Sequence, residues 1–423
     1  MSFRLTRALL EAHGLAAVPP ERERDAVLRS VDQVLLGADE APLVVALLER
    51  AGVATLRVRT VLAEGGRGES PVGGPGRDWR RAALERGMLL SRPGHGAIGV
   101  LQREHLAVPG QMLLHAGPPT AGGAFGMLAL AADAIEAAAV LAGGDLRRRR
   151  PRVAAVELTE SPPIGAGGAD LALAVLARAW EAAEVPDVIE FGGEGVSRLP
   201  MSERVGAAWL LAEAGVPSLF PSDEMTRAAL AALGREHDWR RLEAVADGPA
   251  TWSVSLASLE PALAPIAPAA GGCAVPAAPR ALRAEVGRPV ERVLVGPAAT
   301  LEDLARLAAR LSGRRIAAGT EGVVAAGSRA MLDRAVAAGI VATLLEAGLR
   351  VVEGEAAPPG SGSGSGLACG VSPSLLGGAR GDWRLGGIEA AAAAMLAGAL
   401  AMPVEGGGTL PEPVPVVSVE PWW

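Results

Sequence analysis

Short β-branched runs alternate with Ala/Leu/Glu/Arg stretches of helical spacing along most of this chain. In the first 150 residues the pattern predicts a helix over Arg7–His13 and a Val-rich extended run over Ala26–Leu36. A helix over Pro42–Ala51 follows, with Leu43, Ala46, Leu47 and Ala51 on one face, and then a strand within Val53–Leu62. From 151 to 285, strands at Val153–Leu158, Val188–Phe191 and Ser218–Phe220 alternate with helices over 169–184, 202–215 and 223–234, and an Ala/Pro-rich connector spans 261–280. From 286 to 402 the alternation repeats, with strands at Val290–Val295, Val323–Ala325 and Arg350–Glu353 and helices over 301–312, 328–338 and 388–399. Such βα alternation is the mark of parallel sheet covered by helices. It divides the chain into units 1–150, 151–285 and 286–402, followed by a Pro-rich tail, 403–423.

Turn chemistry places an exposed loop at 64–78, and the Gly-Ser tract at 360–366 reads as a flexible spacer. That tract is not a phosphate cradle, because no Lys follows it. Acids Glu302 and Asp303 beside Thr300 form a helix N-cap signal, and the scattered tryptophans are core or rim fillers.

The length, 423 residues, fits two or three domains. A net charge of −7 leaves a nucleic-acid binder dependent on a local basic stripe, and the Arg147–Arg150 run reads as a solvated boundary instead. No nucleic-acid partner is expected. The apolar stretches Phe125–Ala142 and Ala390–Met402 fall short of the roughly 20 residues that cross a bilayer, so no membrane partner is expected either. Met1–Arg4 carries charge in place of a signal-like apolar run, which makes the cytoplasm the default location. Absence of Lys excludes Schiff-base chemistry. The 2 cysteines, Cys273 and Cys369, are too few for a four-thiolate metal site.

Several ordered segments resemble the large subunit of the aconitase / isopropylmalate dehydratase family. They are Leu5–Gly14 with Val31–Pro42, Thr120–Gly126 leading into an Ala-rich helix through Gly143, and then four linked blocks. Those blocks are Ile189–Gly195, Leu199–Arg204, Glu213–Gly215 and Leu219–Thr226; Val290–Gly296, Ala326–Arg329 and Glu346–Gly348 continue the likeness. The resemblance implies three α/β units of parallel-rich sheet flanked by helices around a central cleft, in an aconitase-like three-domain architecture. It also implies hydro-lyase chemistry on a small organic acid, and a separate small subunit carrying the family's swivelling domain.

The family's [4Fe–4S] cluster is held by three Cys thiolates. The matching positions here are Gly296–Thr300, where no Cys stands, and Ser361 and Gly364. No cluster is therefore expected, and the cluster-dependent mechanism reads as lost. The family's Asp-Ser-His triplet falls on Ala116–Pro118, its His-Gln pair near Gly99–Val100, and its substrate-carboxylate block on Leu375–Gly378. What remains by resemblance is Glu190, at the position of a family active-site carboxylate. The candidates for a rebuilt site are Glu190 and His115 as catalytic groups and Arg204 and Arg380 as carboxylate binders, with His95 flanking the degenerate loops and Asp223 ending a strand of the second unit. Two readings follow: a degenerate homologue serving as a binding or partner subunit, or a lyase or isomerase working without the cluster. In either, the segments 95–120 and 355–380 are expected to line the cleft.

Overall fold

The structure is a computed structural model describing residues 5–14, 25–28, 30–65, 78–182, 185–245, 248–268, 274–353, 365–372, 376 and 381–404. The first unit runs α1 (Leu5–Ala12), β1 (Asp25–Leu28), β2 (Gln33–Leu36), α2 (Glu40–Arg50), β3 (Thr60–Glu64), α3 (Trp79–Glu85), β4 (Leu89–Ser91), α4 (Ile98–His105), β5 (Met112–Ala116), β6 (Leu128–Ala131), α5 (Ala134–Leu141) and β7 (Leu146–Arg149). Its five-stranded sheet is parallel, in the order β4-β3-β2-β5-β6. Helix α2 stands where its periodicity predicts. The buried face, however, is Ala41, Val44, Val45 and Leu48, whereas Leu43 is exposed. Arg147–Arg149 are not a bare boundary, because β7 pairs antiparallel with β1.

The second unit runs β8 (Val153–Thr159), α6 (Gly168–Glu181), β9 (Val188–Gly192), α7 (Met201–Glu213), β10 (Ser218–Leu219), α8 (Glu224–Ala232) and β11 (Trp252–Ser255). All of its strand pairs are parallel, in the order β10-β9-β8-β11. The third begins earlier than the composition suggests. The stretch expected as a connector supplies β12 (Ala262–Pro268), β13 (Ala274–Pro276) and β14 (Arg280–Ala281). Strand β12 pairs antiparallel with β13, β14 and a later strand, and joins the third sheet. Leu263 and Ala264 are fully buried there, and that packing overrides the two prolines that make the segment look like a linker.

The remainder is β15 (Arg292–Val295), α9 (Leu301–Leu311), β16 (Glu321–Ala326), α10 (Arg329–Ala337), α11 (Ile340–Glu346), β17 (Arg350–Glu353), β18 (Gly366–Cys369), β19 (Trp383–Leu385) and α12 (Ile388–Ala397). Continuous apolar runs such as Val293–Val295 and Val323–Ala326 are buried on both faces, as a parallel sheet covered by helices requires. Helix α9 shows how sequence sets an element: Leu304, Leu307, Ala308 and Leu311 recur on one buried stripe. Thr300 and Asp303 close a capping box at its start. No helix among the described residues is long and apolar enough to cross a membrane.

In the third sheet the order β19-β18-β15-β16-β17 reverses direction between β15 and β18. At such a switch point the crossover helices leave to opposite faces, which opens a crevice at the carboxyl ends of the two strands. The loops there are Gly296–Ala299 and Gly370–Ser372. They touch through backbone: Ala298 N donates to Gly370 O at 3.1 Å and Gly296 N to Cys369 O at 2.8 Å. A Cβ on Gly296 would sit 2.4 Å from Gly370 O, so only glycine permits this approach.

Candidate functional site

The three units meet at this switch point, and the junction holds a two-lobed cleft. One lobe lies between α4 and the Pro118–Ala121 loop of the first unit, Trp209 and Glu213 of α7, and Pro297, Ala298, Gly370 and Ser372 of the third. The other lies between the second and third units and is bordered by Asp170, Ser202, Glu203, Asp303, Arg306, Cys369 and Glu389. Trp209, Ala298 and Gly370 line both lobes, so the two adjoin. Of the segments 95–120 and 355–380 expected to line it, the first contributes an ordered helix, α4, and the loop after β5, and the described part of the second contributes Cys369, Gly370 and Ser372.

Two groups in the first lobe carry chemistry. Arg103 is buried and donates through Nη1 to Ala298 O at 3.1 Å; no other hydrogen bond of its guanidinium is formed among the described residues. A planar five-donor fork with one donor spent is a ready partner for a carboxylate. Burial lowers its pKa, opposed by the charges of Glu104 and Asp303. Glu213, at the end of α7, is pushed up to about 7 by burial, against the pull of the Ser372 hydroxyl, which donates to Oε2 at 3.0 Å. A carboxyl at that value changes protonation state near neutrality. Glu213 stands in one of the family-like blocks without being marked as a chemical group, and Arg103 lies in the polar run Gln102–Glu104 of α4, where the packing of the units buries it.

The second lobe is a buried carboxylate network. Asp170 accepts from Gly167 N and from Ala262 N, each at 2.8 Å, and burial raises it to about 7. Glu203 accepts from Gly168 N at 2.5 Å and is bridged by Arg306, which also binds Asp303. Burial raises Glu203, against Arg306. Arg306 is raised in turn: the charges of Asp303 and Glu203 outweigh its burial.

The residues expected to form the site are elsewhere. Glu190 is fully buried on β9, and its carboxylate accepts from Leu5 N at 2.8 Å and Thr6 N at 2.9 Å. It caps the start of α1 across 185 positions of sequence and lines neither lobe. We expect Glu190→Gln, which must turn an amide donor toward one of those N–H groups, to cost about 1–2 kcal/mol. Amide exchange at residues 5–10 should rise well ahead of global unfolding, and unchanged protection there would refute this.

Arg204 is fully buried and spent on Asp223, Val196 and Leu199. His115 sits within β5, not in a loop; burial holds it near pKa 4, and its Nδ1 is buried without a partner. None of the three reaches the cleft, because each strand or helix turns it into a unit interior or a joint between units. His95 precedes α4, and its backbone carbonyl accepts from Arg329 N. Arg380, Cys273, Ser361, Gly364 and most of the loop 64–78 lie outside the described residues.

The donors at the switch point do not fit a cubane that needs three thiolates. Pro297, Ala298 and Ala299 occupy the β15 loop, and the chain has 2 cysteines in all. Burial, with the nearby charge of Asp303, pushes the Cys369 thiol far above its usual range, the reverse of what a thiolate ligand requires.

The architecture is a parallel α/β fold with a charged cleft at a switch point, and comparison with known proteins narrows the class. A model of the aconitase family (aconitate hydratase) matches residues 78–262. The 3-isopropylmalate dehydratase large subunit 2 of Rubrobacter xylanophilus is 29% identical over 290 residues, 65% of this chain and 67% of the relative. The protein of the same name from Archaeoglobus fulgidus is 27% identical over 358 residues, 82% of this chain and 83% of the relative. Among solved structures, the holo-form of Thermococcus kodakaraensis aconitase X aligns with a TM-score of 0.45 at 12% identity, covering 89% of this chain and 91% of that one. The match to the aconitase family thus covers residues 78–262, and over most of its length the chain is similar to large subunits of 3-isopropylmalate dehydratase, which belong to a hydro-lyase family.

Proposed function

We propose that the chain binds a small organic acid at the junction of its three units and has lost the iron–sulfur mechanism of its hydro-lyase lineage. In this reading it serves in the cytoplasm as a binding or partner subunit. The observation that carries it is that Arg103 and Glu213 line one cavity at the switch point, where the surrounding loops offer Pro, Ala and Gly. Its relatives are named large subunits, and a separately encoded small subunit is the partner this supports. Iron and acid-labile sulfide in anaerobically purified protein are expected far below one per chain. Stoichiometric iron and sulfide would overturn the reading.

Glu213 favours a second reading, a lyase acting without the cluster. With the substrate carboxylate on Arg103, ionised Glu213 could take the proton from the adjacent carbon and pass it to the leaving hydroxyl; the C–H and C–O bonds break, a C=C bond forms and water departs. Hydration or dehydration of a hydroxy acid that disappears in Glu213→Gln, with ligand binding retained, would establish it. Absence of turnover in the wild-type chain would leave the binding role.

A further inference from the structure

Four helix N-termini converge on the second lobe, those of α6, α7, α9 and α12. Unsatisfied N–H groups and the helix dipole make such ends anion sites, so four together would be expected to attract a carboxylate. Here each helix brings an acid in its own first turn: Asp170, Glu203, Asp303 and Glu389. Donors at two of the four helix starts, those of α6 and α9, are spent on these acids. Gly167 N and Ala262 N serve Asp170, Gly168 N serves Glu203, and Thr300 N serves Asp303 at 2.8 Å. Arg306 is divided between Glu203 and Asp303, and Arg310 holds Glu389 at 2.8 Å. The lobe is therefore bordered by four carboxyl groups and one guanidinium, Arg306, with Arg310 bound to Glu389, so that acids outnumber cations there. Arg103, in the adjoining lobe, is the cation left with donors to give.

We propose that the cleft selects monocarboxylic acids: Arg103 takes the single carboxylate, and the acid-filled lobe receives a far end bearing hydroxyl or amino donors and rejects a second carboxylate. This rests on the reading that the cleft binds a small organic acid, and it names the acid's class. A second carboxylate would enter beside an excess of acidic groups, a penalty of at least about tenfold in affinity.

The matched probes are 3-hydroxybutyrate and malate, which differ by a methyl group in place of one carboxylate, with binding to the full chain followed by ligand-detected NMR at millimolar ligand. Hydroxybutyrate is expected to bind at least about tenfold more tightly than malate, and Arg103→Gln to weaken it by about tenfold or more. Glu203→Gln, which keeps the acceptor for Gly168 N and releases Arg306 from one partner, should narrow the preference about threefold or more. Glu389→Gln, at the edge of the lobe, should act in the same direction if Glu203→Gln does not fold. Malate binding as tightly as hydroxybutyrate overturns the selection but leaves the organic-acid reading standing. Silence toward both acids overturns both, and wild-type affinity in Arg103→Gln overturns the assignment of the anchor.

Discussion

Arg204→Met is expected to destabilise the protein by about 3–5 kcal/mol, the largest single-residue effect in the second unit. The guanidinium is wholly buried and makes four hydrogen bonds: to Asp223 Oδ1 at 2.9 Å and Oδ2 at 2.7 Å, to Val196 O at 2.7 Å and to Leu199 O at 3.1 Å. Removing it leaves Leu199 O without this donor, Val196 O with Leu199 N alone, and Asp223 half-buried without its counter-charge. Burial works against the Asp223 carboxylate, but Arg204 outweighs it and holds the group below the ordinary range. Asp223 still caps α8 through Met225 N and Thr226 N, so the damage should stop short of that helix. Lys in the same place cannot reproduce the two-pronged geometry and should recover only part of the loss. Urea denaturation measures this directly. A midpoint within error of wild type would show that the network is replaceable, and would return Arg204 to the candidates for ligand binding. A folded Arg204→Lys that still binds hydroxybutyrate normally would confirm that its work is structural.

Much of the fold was legible because most elements announce themselves through one dominant local signal. Strands β8, β9 and β16 are apolar runs of the length a covered parallel sheet requires, and α6, α7 and α9 combine helical spacing with first-turn acids. Misreadings arose where tertiary packing overrode composition. Phe125–Ala142 looks like one Ala-rich helix, yet Asp133 and Glu136 form a capping box that starts α5 at Ala134, and the residues before it make β6. The signal was present as an acid pair three apart, hidden by the alanines around it. In β12 the prolines suggested a linker, whereas Pro265 lies opposite Arg384 of β19.

The site was less legible for a different reason. Resemblance directs attention to positions where a relative keeps its chemistry, and Glu190 does persist at one. Its partners, Leu5 N and Thr6 N, lie 185 and 184 positions away, and no local pattern reveals that the carboxylate is a helix cap. Arg103 and Glu213 are ordinary charged residues on helices until three units close around them. Function at a junction is encoded in which surfaces meet, and spacing along one helix does not report that.

The network in the second lobe should also set how stability responds to pH. Asp170 is raised from 3.8 to about 7, chiefly by burial, against the pull of Ala262 N and Gly167 N. For an acid shifted upward, the folded state holds its proton more tightly than the unfolded chain. The stabilisation is complete below the unfolded pKa and fades as pH rises from about 4 through about 7, after which the difference is constant. Glu213 acts in the same direction over the same range, whereas His115, held near 4, works oppositely as pH falls below its unfolded value. These contributions overlap in the wild-type curve, so the informative quantity is the difference between wild type and Asp170→Asn. Asn cannot serve both backbone donors as an acceptor and will carry a pH-independent penalty of about 1–3 kcal/mol. Against that offset the variant should gain on wild type between pH 4 and 7 with a slope of up to about 1.4 kcal/mol per pH unit, and the difference should flatten above. Chemical denaturation at half-unit intervals measures the slope. Parallel curves for the two proteins would mean that Asp170 is ionised in the fold at pH 5, and the second lobe would then hold more negative charge than its burial suggests.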